Sequence, residues 1–258
     1  MPILTYHSLD DSGSVISTPP RLFRDQVAAL RERGYQGLTL GELLDGWDGR
    51  SALPPRPVVI AFDDGYRNVL EHAGPVLQDA GFRATVFAVA GLLGNENTWD
   101  HPWSSIPRLP LLSTGELREL GAAGFEVGAH GVTHACLTDL GSEAAEREIV
   151  GSGDLLAEAV GQPVTVFAYP YGKAGPDHRR TAQARYRAAC GTSLARAEPG
   201  QRYLLSRIDA YYLRDPRAFR LLGTAAGELY VVLRALGRSG RALAGRWLRR
   251  PAPGSGRP

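Results

Sequence analysis

The chain has 258 residues, enough for one α/β-barrel-sized domain or two small ones. A hydrophobic share of 43% with a charged share of 22% excludes a disordered chain, and two cysteines exclude a disulfide framework. The net charge of +2 is uneven: from Glu228 to Pro258 seven arginines stand against one acid, so that segment carries +6 and the rest −4, and the mildly acidic body gives no case for nucleic acid.

Met1-Pro2-Ile3-Leu4-Thr5-Tyr6-His7 has no basic stretch followed by a long apolar core. No run reaches membrane-spanning length either, so a cytoplasmic protein is expected. Ile3 to Tyr6 reads as a strand. Arg21 to Arg33 reads as a helix, entered through Pro19-Pro20 and stopped by Gly34. Thr39 and Glu42 have capping-box spacing for a short helix to about Gly46. A strand Val58 to Phe62, a helix Tyr66 to Ala80 and a strand Ala84 to Ala90 come next, then a Pro- and Trp-containing loop from Gly91 to Leu112. Ser113 and Glu116 open another capped helix, closed by Gly124. The alternation runs on through strand Phe125 to Ala129, a long helix from Ser142 to Val160, strand Val164 to Ala168, a helix from Asp177 to Arg187 and strand Leu204 to Asp209. Strand–helix alternation of this kind implies a parallel sheet, open or closed into a barrel. His7, Asp63 with Asp64, and His130 all lie just past strand ends, where parallel barrels build their sites, so a barrel of somewhat fewer than eight strands is expected.

The chemistry is concentrated in two places. Val58 to Phe62 is apolar throughout, as a doubly buried strand would be, and it runs straight into Asp63-Asp64-Gly65. Two adjacent carboxylates beside a dry core repel each other unless a cation or a proton resolves them. Phe125 to Ala129 likewise runs into His130-Gly131-Val132-Thr133-His134. One carboxylate with two imidazoles is a three-ligand set that leaves a position open, as catalytic zinc sites do. A metal-dependent hydrolase is the reading these residues favour. Alone, Asp63-Asp64-Gly65 would fit a helix-capping turn, and His7 a hydrogen-bonded loop histidine. Cys136, two residues past His134, is a further ligand candidate or a small buried side chain.

Phe62-Asp63-Asp64-Gly65, His130-x-x-x-His134 and Phe167-Ala168-Tyr169-Pro170-Tyr171-Gly172 together resemble the three leading motifs of the polysaccharide deacetylases, the NodB-homology group or carbohydrate esterase family 4. Leu4-Thr5-Tyr6-His7 resembles the branch whose catalytic histidine is N-terminal. The likeness covers about residues 1–212 and implies a distorted (β/α) barrel of about seven parallel strands. It also implies a divalent metal, most often zinc, held by Asp64, His130 and His134. Asp63 would be the general base, the Tyr171 backbone N–H would polarise the carbonyl, and His7 would be the acid. Two departures stand out. Ala168 occupies the place of an arginine that orients the catalytic aspartate in many members, for which Arg207 is the candidate replacement. No histidine follows His178, so a late-motif acid is absent.

The resemblance implies removal of the N-acetyl group from an N-acetylhexosamine in a glycan or glycan precursor. An O-acetyl ester, a small non-sugar amide, or a silent glycan-binding module are the alternatives. The second carboxylate at Asp63 favours an enzyme. Trp99, His101 and Trp103 suit sugar stacking or loop anchoring equally. The organisation expected is a catalytic domain over 1–227, a basic helical segment over 228–250 and a disordered tail over 251–258. Leu229, Val232, Leu233, Leu236, Leu243 and Trp247 among arginines fit either a helix on an anionic membrane at the inner face or a terminal helix packed on the barrel. Gly237, Gly240 and Gly245 favour the second.

Overall fold

The computed structural model describes residues 1–99 and 106–248, with side chains of the last helix described through Arg238. Eight parallel strands build the sheet: β1 (Ile3–Tyr6), β2 (Gln36–Leu38), β3 (Pro57–Phe62), β4 (Thr85–Ala88), β5 (Glu126–Ala129), β6 (Val166–Ala168), β7 (Ala188–Leu194) and β8 (Leu205–Asp209). Seven of them, all but β2, close into a ring, because β1 pairs with both β8 and β3. This is the expected (β/α) barrel.

The eighth strand is a wedge. β3 pairs with β1 along one edge through Val59 to Phe62. Its other edge is shared: β2 takes Pro57 to Val59 and β4 takes Ala61 and Phe62. The Gly37 carbonyl accepts from Arg83 N just ahead of β4 (3.1 Å), so β2 sits between β3 and β4 over the lower half of the barrel only.

Period-two alternation divides the side chains between two cores. Leu4, Tyr6, Val58, Ile60, Phe62 and Phe167 pack outward against the helices. Ile3, Val59, Ala61, Phe87, Val166, Ala168, Cys190 and Leu205 face inward, and Leu40, Leu43 and Leu44 of the helix Leu40–Trp47 close the bottom. Gly128 makes room for the Phe87 ring, since a Cβ there would stand 2.5 Å from Phe87 Cδ1.

Two helices begin where the capping signals place them. Thr39–Glu42 and Ser113–Glu116 both form reciprocal capping boxes, fixing the helices Leu40–Trp47 and Thr114–Ala122. The helix read from Ser142 to Val160 contains a π-turn at Arg147–Gly151, and the one read from Tyr66 opens with a π-turn at Val69–Ala73. The tail forms one continuous helix, Ala225–Leu248, despite its glycines. His101, Trp103 and the tail 251–258 lie outside the described residues.

Candidate active site

The inward alternation of four strands delivers the polar groups, running on past the ends of β1, β3 and β5 and lying within β8. Ile3 and Thr5 lead to His7, Val59 and Ala61 to Asp63, Glu126 and Gly128 to His130, and Leu205 to Arg207. Asp63 is still on the ladder, its N–H bonded to Tyr6 O at 2.9 Å. Asp64 would ordinarily point the other way. It instead adopts a left-handed backbone with φ 70°, and the reversal turns a second carboxylate toward the same space.

Three described residues other than glycine have positive φ: Asp64, His134 (62°) and Tyr171 (58°). All three belong to the motifs read from the sequence. Such conformations cost about 1–3 kcal/mol each for residues with a Cβ and persist where surrounding structure over-determines them. Their coincidence at one rim marks the functional end of the barrel.

The two aspartates have different partners. Asp63 is held bidentately by Arg207, with Nη1–Oδ1 and Nη2–Oδ2 both 2.7 Å, while Arg207 Nε donates to Gly191 O at 2.8 Å. Both side chains are buried. Burial would raise the Asp63 carboxyl, but the Arg207 guanidinium overcomes it and holds the group below the usual carboxylate range. His7 approaches the same carboxylate, Nε2 lying 3.9 Å from Oδ2, and is the more exposed partner at 23%. Asn68 fixes this N-terminal loop by accepting from Leu9 N (3.0 Å) and donating to Ser8 Oγ (2.7 Å).

Asp64 faces the histidines. Its Oδ1 lies 3.4 Å from His130 Nε2 and 3.2 Å from His134 Nε2, and the three ligand atoms fall within 4.8 Å of one another. Burial opposes its charge, yet the two rings keep its carboxyl well below the usual range. His130 Nδ1 donates to Ala168 O at 2.8 Å, so Nε2 is the nitrogen turned to Asp64 and the one that would offer a lone pair to a cation. Ligand atoms held at zinc distances in tetrahedral geometry stand about 3.3 Å apart, close to both Asp64–histidine separations, so one carboxylate and two imidazoles here could hold a metal ion. Cys136 is outside the cluster; its thiol meets Thr138 Oγ1 at 3.3 Å.

Sequence reading missed the groups that hold this loop. Glu148, in the π-turn, accepts from Val132 N (2.8 Å), Thr133 N (3.0 Å) and Thr133 Oγ1 (2.7 Å), tying down the segment between the histidines. Its one legible signal is an acid set beside Ala145 and Ile149 on a helix face that is buried. Tyr66, beside Asp64, is buried and receives Asn97 Nδ2 at 3.2 Å; burial and the carboxylate raise its phenol. Trp99 stacks on the His134 ring at 4.4 Å, and Tyr171 meets the same ring at 4.8 Å. The cavity of about 580 Å³ at the opposite end of the barrel is unrelated: Glu126 there is satisfied by Gly41 N and Thr85 Oγ1.

A family model described as polysaccharide deacetylase matches residues 50–189. The chain is 28% identical over 185 residues to YxkH of Bacillus subtilis (strain 168), covering 71% of this chain and 61% of that protein. It is 28% identical over 164 residues to the poly-beta-1,6-N-acetyl-D-glucosamine N-deacetylase of Staphylococcus aureus (strain N315), covering 60% and 53%. The chain thus spans little more than half the length of these relatives. Among solved structures, IcaB from Ammonifex degensii superposes with a TM-score of 0.70 at 23% identity, over 88% of this chain and 96% of that one. The Streptococcus pyogenes deacetylase PplD gives 0.71 at 22% identity, over 81% and 91%.

Proposed function

Because the chain belongs to the polysaccharide deacetylase family, we propose that it hydrolyses the N-acetyl group of N-acetylhexosamine units in a glycan or glycan precursor, releasing acetate and a free amine. The Staphylococcus aureus relative's N-deacetylase name supports that substrate class. The observation that carries the reading is the division of labour between adjacent carboxylates. Asp64 shares its oxygen with two imidazoles, whereas Asp63 is clamped by an arginine and faced by His7.

Asp64, His130 and His134 would hold a divalent cation, zinc by the nature of the donors. When bound, it supplies a Lewis acid that polarises the acetyl carbonyl and acidifies the attacking water. Asp63 accepts the proton of that water. Arg207 keeps the carboxylate ionised and oriented while leaving each oxygen a second lone pair. A carboxylate held below its usual range is a weak base, so its role depends on the water being acidified. The backbone N–H of Tyr171 donates to the oxygen on which negative charge develops. His7 then passes a proton to the departing nitrogen, since an amine leaves poorly as an anion. Its partial exposure suits a group that must regain a proton each turnover.

Acetate release from N-acetylglucosamine oligomers tests this, comparing zinc-loaded with chelator-treated protein and including Asp63→Asn. Zinc-dependent release lost in the variant is expected. Zinc binding with release only from O-acetylated glycans would reassign the substrate, and release unaffected by Asp63→Asn would overturn the mechanism.

A further inference from the structure

Over its described side chains, through Arg238, the terminal helix Ala225–Leu248 packs on the barrel with only one of its faces. Gly227 and Val231 are buried, Tyr230 donates its hydroxyl to Tyr212 O at 2.8 Å, and Glu228 pairs with Arg196 at 2.9 Å. The other face is bare. Leu229, Val232, Leu233 and Leu236 are 60, 53, 59 and 64% exposed, at the three-and-four spacing of one helical stripe. In the sequence that spacing runs on to Leu243 and Trp247. Single surface leucines need no explanation, but a continuous stripe on a helix of 24 residues, about 36 Å long, does. No helix among the described residues is long and apolar enough to cross a membrane.

Charge decides between occupants. A second copy of the chain would cover the stripe, but it would bring one +6 segment against another. An anionic surface removes that repulsion. A cavity of about 480 Å³ at the helix flank, between Tyr211, Tyr212, Arg214, Tyr230 and Arg234, presents two guanidiniums against the single acid Asp215. The helix also reaches the catalytic rim. Arg238 donates to Thr192 O, and Thr192 packs so closely on Gly172, next to Tyr171, that a Cβ there would strike it.

We propose that this helix lies in the surface of an anionic lipid bilayer. Its apolar stripe enters the headgroup–acyl boundary, its arginines meet lipid phosphates, and the catalytic rim is held close to the membrane.

The test is flotation of the full chain with phosphatidylcholine vesicles, with and without phosphatidylglycerol, at low and high salt. Binding at least about tenfold tighter to the anionic vesicles, and weakened by salt, is expected. Leu233→Asp with Leu236→Asp removes the stripe and abolishes binding. Arg241→Gln with Arg246→Gln keeps it and weakens binding by about tenfold or more. Unchanged melting and acetate release in both variants show that the fold is intact. Equal binding to both vesicle types, binding to neither, or undiminished binding of the Leu233→Asp/Leu236→Asp protein overturns the proposal. A vesicle-indifferent wild type that sediments as a dimer, with that variant monomeric, assigns the stripe to a second copy instead. Flotation uses no substrate, so its failure leaves the deacetylase reading untouched.

Discussion

Replacing Arg207 by methionine would remove both 2.7 Å bonds to Asp63 and the 2.8 Å bond to Gly191 O while nearly filling the same space. Arg207 and Asp63 are 3% and 2% exposed, so water cannot take over the lost pairing. A buried charge stripped of its partner costs about 3–5 kcal/mol. For a domain of this size that is a fall of about 6–20 °C in Tm. Asp63→Asn alone is expected to cost a similar amount by stranding the guanidinium. The double variant leaves neither charge unpaired, so its loss is expected to fall short of the sum by about 3 kcal/mol or more. Urea denaturation of the four proteins, read by tryptophan fluorescence, closes the cycle. Acetate release run alongside separates positioning from stability, since without Arg207 burial is left to raise the Asp63 carboxyl. Additive stabilities, or full activity in Arg207→Met, would refute the view that this pair is a coupled unit serving the base.

Glu148→Ala leaves two backbone N–H groups, those of Val132 and Thr133, without their acceptor. A loss of about 1–3 kcal/mol for each and about 10–100-fold weaker zinc binding are expected, measured by competition with a chromophoric chelator; unchanged affinity would show that the loop orders itself. His7→Gln is expected to lower kcat about 10²–10⁴-fold on N-acetylhexosamine oligomers and far less on 4-nitrophenyl acetate, whose phenolate departs without a proton. Equal losses on both substrates would deny His7 the role of acid.

The carboxylates and His130 were legible because they end apolar runs, and His134 by its spacing from His130; a strand buried on both faces leaves few other places for polar chemistry. Arg207 was legible only as a substitute for the arginine missing at Ala168; what puts it inside is its place two residues after Leu205 in the inward series. β7 escaped the sequence reading because Ala-Ala-Cys-Gly-Thr-Ser-Leu lacks the branched and aromatic residues of a typical strand. It is a strand because β6 and β8 flank it. β2 escaped by being three residues long. Glu148 lies 15 positions from the Thr133 N–H it accepts, and no local pattern announces such a contact.

The partial eighth strand has a consequence for how the barrel is shaped. Counted around its base, the wall has eight staves; counted around the catalytic mouth it has seven, because β2 stops at Leu38 while β3 and β4 come together at Ala61 and Thr85. The circumference of a closed sheet follows its strand number, so the wall tapers toward the mouth. The narrow end lets an arginine rooted in β8 span the interior to a carboxylate on β3. Lengthening β2 by two residues would drive the wedge upward between β3 and β4 and widen the mouth, moving Asp63 and His130 apart without altering a single residue that touches substrate.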